Sequence, residues 1–180
     1  PAPIIFALFL NEVRNKSFKK VVQTTSYMPY FISMVVIAGL IKDFTQSGGV
    51  ISNLVASITN SSAVNLLGDS KYFWWIYVFS GIWQGFGYGS IIYMASLSSI
   101  DQQLYEAAVM DGANRWKQTL HITLPGLAPT ITILLIMRMG SLFSVGSDKI
   151  LLLYSPAIYE TADVINTYVY RVGLVEMNYG

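Results

Sequence analysis

The sequence predicts an all-α, polytopic membrane protein. Of its 180 residues, 53% are hydrophobic and 12% are charged, and that charged share is about half of what a typical soluble domain carries. Mean hydropathy is +0.49, and the segment 72–100 contains no charged residue. A helix needs about 20 apolar residues to cross a bilayer. These observations together favour membrane-spanning helices.

Composition excludes several classes of function. The chain has no cysteine, which removes disulfides, zinc fingers and thiol catalysis. Its net charge of +1 offers no basic field for a nucleic acid. His121 is the single histidine, so we expect it to face solvent or a partner, and we expect no metal site and no cofactor. The nucleotide-binding pattern GxxxxGK[ST] is absent from the sequence.

Hydropathy divides residues 1–180 into one transmembrane domain, which we expect to be truncated at both ends. The predicted spans cover about 21–42, 72–98 and 126–145, and residues 1–10 form a half-span. The first span contains Pro29, which is expected to break its helix. Between the first two spans, apolar residues at helical spacing predict a short amphipathic helix at the membrane surface; they are Val50, Ile51, Leu54, Val55 and Ile58.

The basic residues predict the orientation of these spans. Segment 11–20 holds four Lys and Arg residues, segment 101–125 holds Arg115 and Lys117, and segment 43–71 holds only Lys71. Cytoplasmic loops are enriched in Lys and Arg. We therefore expect the first two segments to face the cytoplasm, and 43–71 and 147–180 to face outward.

A polar hairpin, residues 99–125, separates the last two spans. Ser98 with Asp101, or Ser99 with Gln102, has the spacing of a capping box that begins a helix. Gly112 is expected to end this first helix in the left-handed conformation that a C-terminal cap favours.

The second half of the hairpin predicts another short helix, from Asn114 to Thr123. Asn114 is a good N-terminal cap, and Trp116 and Leu120 lie one turn apart. Pro125 is expected to stop this helix, because the residue before a proline avoids the helical conformation. The product is a helix–turn–helix that is tied to the spans on both sides.

The hairpin resembles the EAA loop of the membrane-spanning permease subunits of type I ABC importers. The residues that carry the resemblance are Glu106, Ala107, Ala108, Asp111, Gly112, Ala113, Trp116, Ile122, Leu124, Pro125 and Pro129. It implies a core of five to six spans and a cytoplasmic coupling helix that docks on an ATPase subunit. The coupling residues would be Glu106, Ala107, Ala108, Asp111, Gly112, Ala113, Arg115 and Trp116. The alternative is an ordinary capped surface hairpin.

Two further segments, QTTSYMPYFIS and LLYSPAIYETADVINTYVYRVGL, resemble the branch of this family that imports complex oligosaccharides. The resemblance implies the membrane subunit of an ATP-driven importer, which moves an oligosaccharide across the cytoplasmic membrane by alternating access. Its partners would be separate ABC ATPase subunits, a second permease subunit, an extracytoplasmic solute-binding protein and membrane lipid. The alternatives are a permease for a non-sugar solute, such as a peptide or an amino acid, and an intramembrane enzyme.

Candidate residues for a substrate pathway lie in the last two spans: Trp83, Gln84, Tyr88, Tyr93 and Arg138. Aromatic faces stack on sugar rings and an amide bonds hydroxyls, but the neighbouring glycines equally suit close helix packing. Arg138, in the middle of a span, would bind an acidic substrate or pair with a carboxylate of the partner permease. The segment after the last span is either a scoop over the outer mouth or the approach to a further helix.

Overall fold

A computed structural model describes residues 1–60, 62–141 and 146–177, and every regular element within them is helical, which confirms the all-α prediction. The α-helices are α1 (Ala2–Glu12), α2 (Lys16–Tyr27), α3 (Met34–Thr45), α4 (Val50–Thr59), α5 (Ser70–Ser98), α6 (Gln102–Met110), α7 (Arg115–Gln118), α8 (Leu124–Gly140), α9 (Ser147–Leu153), α10 (Tyr159–Ala162) and α11 (Ile165–Val169). Short 3₁₀ turns lie at Met28–Phe31, Leu66–Gly68 and Pro156–Ile158, and π turns lie at Thr119–Thr123 and Tyr170–Val175.

The chain divides into two compact units. Unit 1 consists of Pro1–Tyr30 and Gln84–Leu142, and it contains α1, α2, the second half of α5 and the helices through α8. Its core is built on the buried side chains of Ala7, Leu97 and Leu127. Unit 1 therefore holds the hairpin together with the helices on both sides of it.

Unit 2 consists of Phe31–Trp83 and Phe143–Gly180. Its core residues are Ala38, Leu67, Phe73, Ile150, Leu153, Ile158 and Ala162. They come from α3, from the 3₁₀ turn Leu66–Gly68, from the first half of α5 and from the short helical elements that follow α8. The segment after residue 146 is thus folded against α3 and α5 within this unit.

The first predicted span, 21–42, is not one continuous helix. Helix α2 ends at Tyr27, a 3₁₀ turn contains Pro29, and α3 begins after the N-cap Ser33, whose hydroxyl accepts a hydrogen bond from the Val36 amide at 3.4 Å. A proline has no amide hydrogen for the helical ladder and its ring crowds the preceding turn. The predicted break near Pro29 is therefore confirmed.

The other predicted elements form helices at the expected places. Segment 72–98 lies within α5, segment 1–10 forms α1 from Ala2 onward, and the amphipathic segment forms α4. Helix α8 begins at Leu124 and ends at Gly140. The last residues of the predicted 126–145 span, 142–145, lie outside the described residues.

Two stretches of the described chain are long and apolar enough to cross a membrane, Met34–Thr59 and Arg115–Gly140. The first stretch contains α3, the turn 46–49 and α4, and the second joins α7 to α8. Helix α5 is rich in Tyr and Trp, which have low hydropathy, but its 29 residues extend over about 43 Å. That length exceeds the roughly 30 Å hydrocarbon core, and the membrane crossing itself stays a prediction.

The C-terminal segment of unit 2 is held by Arg171. Its guanidinium pairs with the Asp163 carboxylate, and its Cζ lies 4.6 Å from the centre of the Tyr159 ring. The Thr167 hydroxyl donates a hydrogen bond to Asp163 at 2.7 Å. These contacts link α10, α11 and the π turn that follows them.

Candidate functional site

The first helix of the hairpin, α6, begins at the N-cap Asp101, two residues after Ser99 and three after Ser98. The Asp101 side chain accepts a hydrogen bond from the Gln103 amide at 2.9 Å. The hydroxyls of Ser98 and Ser99 instead donate to carbonyl oxygens of the preceding turn, at 2.9 and 2.8 Å. The predicted capping boxes are therefore wrong, because both serine side chains are already engaged with the end of α5.

Gly112 ends α6 as predicted. Its φ of +74° is in the left-handed region. The Gly112 amide donates to the Val109 carbonyl at 3.0 Å, and the Ala113 amide donates to the Ala108 carbonyl at 2.8 Å. This pair of bonds is a Schellman motif, which glycine favours because it lacks a Cβ. The motif fixes the direction in which the chain leaves α6.

Asn114 caps the second helix as predicted, since its side chain accepts a hydrogen bond from the Lys117 amide at 2.9 Å. The hairpin's turn is thus two residues, Gly112 and Ala113, held between a C-cap and an N-cap. The Asn114 N-cap is expected to stabilise the start of α7 by about 1 kcal/mol.

The expected stop at Pro125 is wrong. Helix α7 passes through the π turn Thr119–Thr123 directly into α8, where Pro125 occupies the first turn. The Leu124 amide reaches back to the Thr119 carbonyl, five residues earlier. This wider turn makes room for the proline ring and shifts the hydrogen-bond register at the point where the proline supplies no donor. The second half of the hairpin is therefore continuous with α8.

Two side-chain contacts tie the hairpin together, and a third joins it to α1. The Tyr105 and Thr123 hydroxyls share a hydrogen bond of 2.9 Å, which joins α6 to the π turn. The buried Gln118 side chain donates to the Ala113 carbonyl at 2.8 Å. Arg115 lies 3.5 Å from Glu12 at the end of α1, in an exposed pair that contributes less than about 1 kcal/mol.

The coupling residues lie largely at the surface. Glu106, Ala107, Asp111, Arg115 and Trp116 are exposed, whereas Ala108 and Ala113 are half-buried. Within the described residues, neither Glu106 nor Asp111 forms an ion pair. The hairpin therefore presents two uncompensated carboxylates on a rigid support.

The hairpin also exposes apolar side chains, of which Trp116 was predicted as a coupling residue and Val109 and Met110 were missed by sequence reasoning. Met110 is 88% exposed, Trp116 is 74% exposed and Val109 is 61% exposed. With Glu106 and Arg115, Val109 and Met110 border a cleft of about 670 Å³. The sequence did carry a signal for them, because both residues lie in a predicted surface hairpin between charged residues, where apolar side chains are expected to be exposed. An exposed apolar patch with a polar rim is typical of a protein interface.

His121 does not form a catalytic or metal-ligating group with its neighbours. It is exposed, and its Nδ1 lies 3.1 Å from the Lys117 carbonyl one turn earlier. No cluster of three or more possible metal ligands occurs among the described residues. The solvent- or partner-facing interpretation fits this position.

The candidate pathway residues separate in the structure. Tyr93 and Arg138 border one cavity of about 650 Å³ in unit 1. Gln84 and Tyr88 lie one turn apart on α5, and the Tyr88 ring stacks on Tyr30 at 3.9 Å. Trp83 belongs to unit 2. Tyr93 and Tyr88 differ by about 140° around α5, so these aromatic residues do not share one helix face.

The glycines of α5 have different neighbours. A Cβ on Gly87 would lie 2.0 Å from the Ser26 carbonyl oxygen, whereas one on Gly85 would meet nothing within 4 Å. Gly87 is therefore required where α2 approaches α5. Of the two interpretations of these glycines, helix packing and a sugar pathway, packing explains Gly87.

Comparison with known proteins adds independent observations. The family described as "Binding-protein-dependent transport system inner membrane component" matches residues 1–154. Protein LplB of Bacillus subtilis (strain 168) is 39% identical over 180 residues, which cover 99% of this chain and 56% of LplB. The polygalacturonan/rhamnogalacturonan transport system permease protein YteP of the same organism is 41% identical over 175 residues, which cover 97% of this chain and 54% of YteP.

The fold is also found in a solved structure. A bacterial alginate ABC transporter, crystallised with an alginate pentasaccharide-bound periplasmic protein, contains a chain that is 46% identical with a TM-score of 0.93. The match covers 99% of this chain and 62% of that chain. The present chain thus spans a little more than half the length of the proteins it matches. It belongs to the family of binding-protein-dependent transport system inner membrane components, the permease subunits of ABC transporters.

Proposed function

We propose that the chain is part of the membrane subunit of an ATP-driven importer, which moves oligosaccharides across the cytoplasmic membrane by alternating access. The observation that carries this proposal is the hairpin. It is capped at both sides of its turn, exposes uncompensated carboxylates and apolar side chains, and continues into α8 without a break. These are the properties expected of an element that docks on a partner and transmits its movement.

The partners follow from this arrangement. Separate ABC ATPase subunits bind the hairpin, with Glu106 and Asp111 facing basic groups and Met110 and Trp116 entering an apolar cleft. The chain itself hydrolyses no ATP. A second permease subunit completes the pathway, and an extracytoplasmic solute-binding protein delivers the sugar.

The relatives support an oligosaccharide as substrate. YteP is named for polygalacturonan and rhamnogalacturonan transport, and the similar solved transporter was crystallised with a periplasmic protein that holds an alginate pentasaccharide. These names favour a sugar over a peptide or an amino acid. Of the candidate pathway residues, Tyr93 and Arg138 border one cavity and would line the pathway together, whereas Trp83, Gln84 and Tyr88 do not border that cavity.

Movement of the hairpin explains how ATP drives transport. Closure of the ATPase dimer displaces the docked hairpin, and the helices joined to it move as rigid bodies between outward- and inward-open states. Such a shift requires that ATP and sugar bind the two states with different affinities.

The test compares variants of the hairpin with matched variants elsewhere, in the complete importer reconstituted in proteoliposomes. Glu106→Lys reverses an exposed charge, and Glu160→Lys reverses an exposed charge on α10. Gly112→Ala and Gly48→Ala each place a side chain at a left-handed glycine, with φ of +74° and +83°. We measure binding-protein-stimulated ATP hydrolysis and sugar uptake.

The hairpin variants are expected to lower both rates at least tenfold, and the matched variants are expected to keep them. Unchanged rates in Glu106→Lys and Gly112→Ala would refute docking through the hairpin. A complex that hydrolyses ATP and carries no oligosaccharide, while it carries a peptide or an amino acid, would refute the sugar assignment.

A further inference from the structure

Helix α2 carries its positive charge on one face. Three lysines, called here the α2 lysines, lie within its first five residues: Lys16 and Lys20, which are exposed, and Lys19, which is half-buried. Phe18 and Val21 are exposed apolar residues, at 57% and 62%. At about 100° per residue, this apolar pair is centred about 150° around the helix from the pair Lys16 and Lys20. Since no residue of α2 is fully buried, both faces are accessible.

The lysine end of α2 lies on the same side of unit 1 as the hairpin. Glu12, which precedes α2 by four residues, lies 3.5 Å from Arg115 at the start of α7. The last turn of α2 packs on α5, where Gly87 admits the Ser26 carbonyl. From that contact the start of α2 is about 15 Å away and the end of α5 is about 16 Å away along their helices. The α2 lysines therefore belong to the side that is predicted to be cytoplasmic.

The charge of this segment is strongly biased. Residues 11–27 contain four basic residues, Arg14 and the α2 lysines, and a single acidic residue, Glu12, whose carboxylate is already paired with Arg115. By contrast α4, which also exposes apolar side chains, contains no charged residue. A helix with lysines on one face and exposed apolar residues on another is typical of helices that bind anionic membrane surfaces. A basic cluster beside a membrane span attracts anionic headgroups.

We propose that the α2 lysines bind the phosphate groups of anionic phospholipids in the cytoplasmic leaflet, while Phe18 and Val21 lie among the acyl chains. Lysine side chains near the end of a span extend to the headgroup level, and each ammonium has three donors for phosphate oxygens. A lipid fits better than a soluble anion, because the exposed apolar pair continues directly into the predicted span 21–42. The proposal goes beyond import, since it makes the lipid composition of the membrane a determinant of how α2 is held beside the hairpin.

The experiment uses the complete importer in nanodiscs that contain equal amounts of phosphatidylglycerol and phosphatidylcholine. The photoreactive residue p-benzoylphenylalanine replaces Phe18, and after irradiation mass spectrometry measures the ratio of the two lipid adducts on the α2 peptide. The matched site is Ile58, which is 81% exposed on the uncharged helix α4.

Three lysine variants are compared at position 18. The first removes the positive charges, and the second retains them. The third removes two exposed lysines of unit 2. They are Lys16→Gln/Lys19→Gln/Lys20→Gln, Lys16→Arg/Lys19→Arg/Lys20→Arg, and Lys42→Gln/Lys71→Gln.

At position 18, phosphatidylglycerol adducts are expected to exceed phosphatidylcholine adducts at least fivefold, which corresponds to about 1 kcal/mol, the typical contribution of one basic residue near an anionic surface. The ratio is expected to fall to about one in the triple glutamine variant and to persist in the triple arginine and unit 2 variants. At position 58 it is expected to be about one.

A ratio of about one at position 18 in the importer with all its lysines would overturn the proposal, as would a fivefold ratio that survives in the triple glutamine variant. An equal preference at positions 18 and 58 would also overturn it, and that comparison needs no lysine variant. Adducts with an ATPase subunit or another part of the permease, in place of lipid, would overturn it in favour of a protein contact. Because the measurement requires neither sugar nor ATP, its outcome is separate from that of the import test.

Discussion

Met110 provides a quantitative test of the hairpin as a docking element. Its side chain is 88% exposed, so it contributes little to the folding of its own chain. Full burial of a methionine side chain stabilises a complex by about 1.5–3 kcal/mol. Met110→Ser is therefore expected to weaken ATPase binding by about 2 kcal/mol, or about 30-fold in Kd. Titration of nanodisc-held permease with labelled ATPase subunits measures this change.

The control is Ile58→Ser on α4, because Ile58 is a similarly exposed apolar residue, at 81%, on a segment predicted to face outward. Its variant is expected to bind the ATPase as wild type does. If Met110→Ser stays within about threefold of the wild-type Kd, which is less than 1 kcal/mol, Met110 does not enter the interface. An equal loss of ATPase affinity in both variants would mean that the substitutions act through the stability of the permease and not through the docking surface.

Three further predictions concern stability. Gly87→Ala is expected to destabilise the protein by about 1–3 kcal/mol or more, because the new Cβ would clash with the Ser26 carbonyl; thermal unfolding should show no such loss for Gly85→Ala, where the space is open. Asp101→Ala is expected to cost about 1 kcal/mol at the start of α6, seen as faster amide exchange there, and unchanged exchange would contradict its role as cap. Burial lowers the pKa of Lys149 from 10.5 to about 8, so between these pH values the unfolded chain binds more protons and stability rises with pH. The unfolding temperature of wild type relative to Lys149→Met should therefore increase from about pH 7.5 to about pH 9.5, and parallel pH profiles would refute the shift.

The turn of the hairpin could be predicted from the sequence because its signals are local. Gly112 and Asn114 act through hydrogen bonds to residues within five positions of them. The all-α class could also be predicted, because composition and long uncharged runs are read from the sequence without any knowledge of tertiary contacts.

The start of the hairpin was harder to predict because its residues have competing partners. Ser98 and Ser99 have the correct spacing for a capping box, but the carbonyls at the end of α5 bond their hydroxyls first. Pro125 shows the same limit, since the π turn that accommodates it depends on Thr123 and its contact with Tyr105 across the hairpin. A long-range contact of this kind leaves no signature in the local sequence.

The cavity that joins Tyr93 to Arg138 could not be derived from helical spacing either. The two residues lie on different helices, and their position beside one cavity depends on the packing of α5 against α8 around Leu97 and Leu127. Sequence reasoning identified both residues by chemical type. It placed them in one pathway with Gln84 and Tyr88, which the helix geometry directs elsewhere.

The two ends of the hairpin are attached to the membrane helices in different ways. Helix α5 ends at Ser98 and α6 begins at Gln102, so a non-helical connection of three residues separates them. Between α7 and α8 the helix continues, so that Arg115 to Gly140 forms one element of 26 residues, or about 39 Å. We therefore expect a displacement of the hairpin to be transmitted through α8 more stiffly than through α5. Since Arg138 lies near the far end of this element, the same helix connects the hairpin, which we propose docks on an ATPase, to a candidate residue of the substrate pathway.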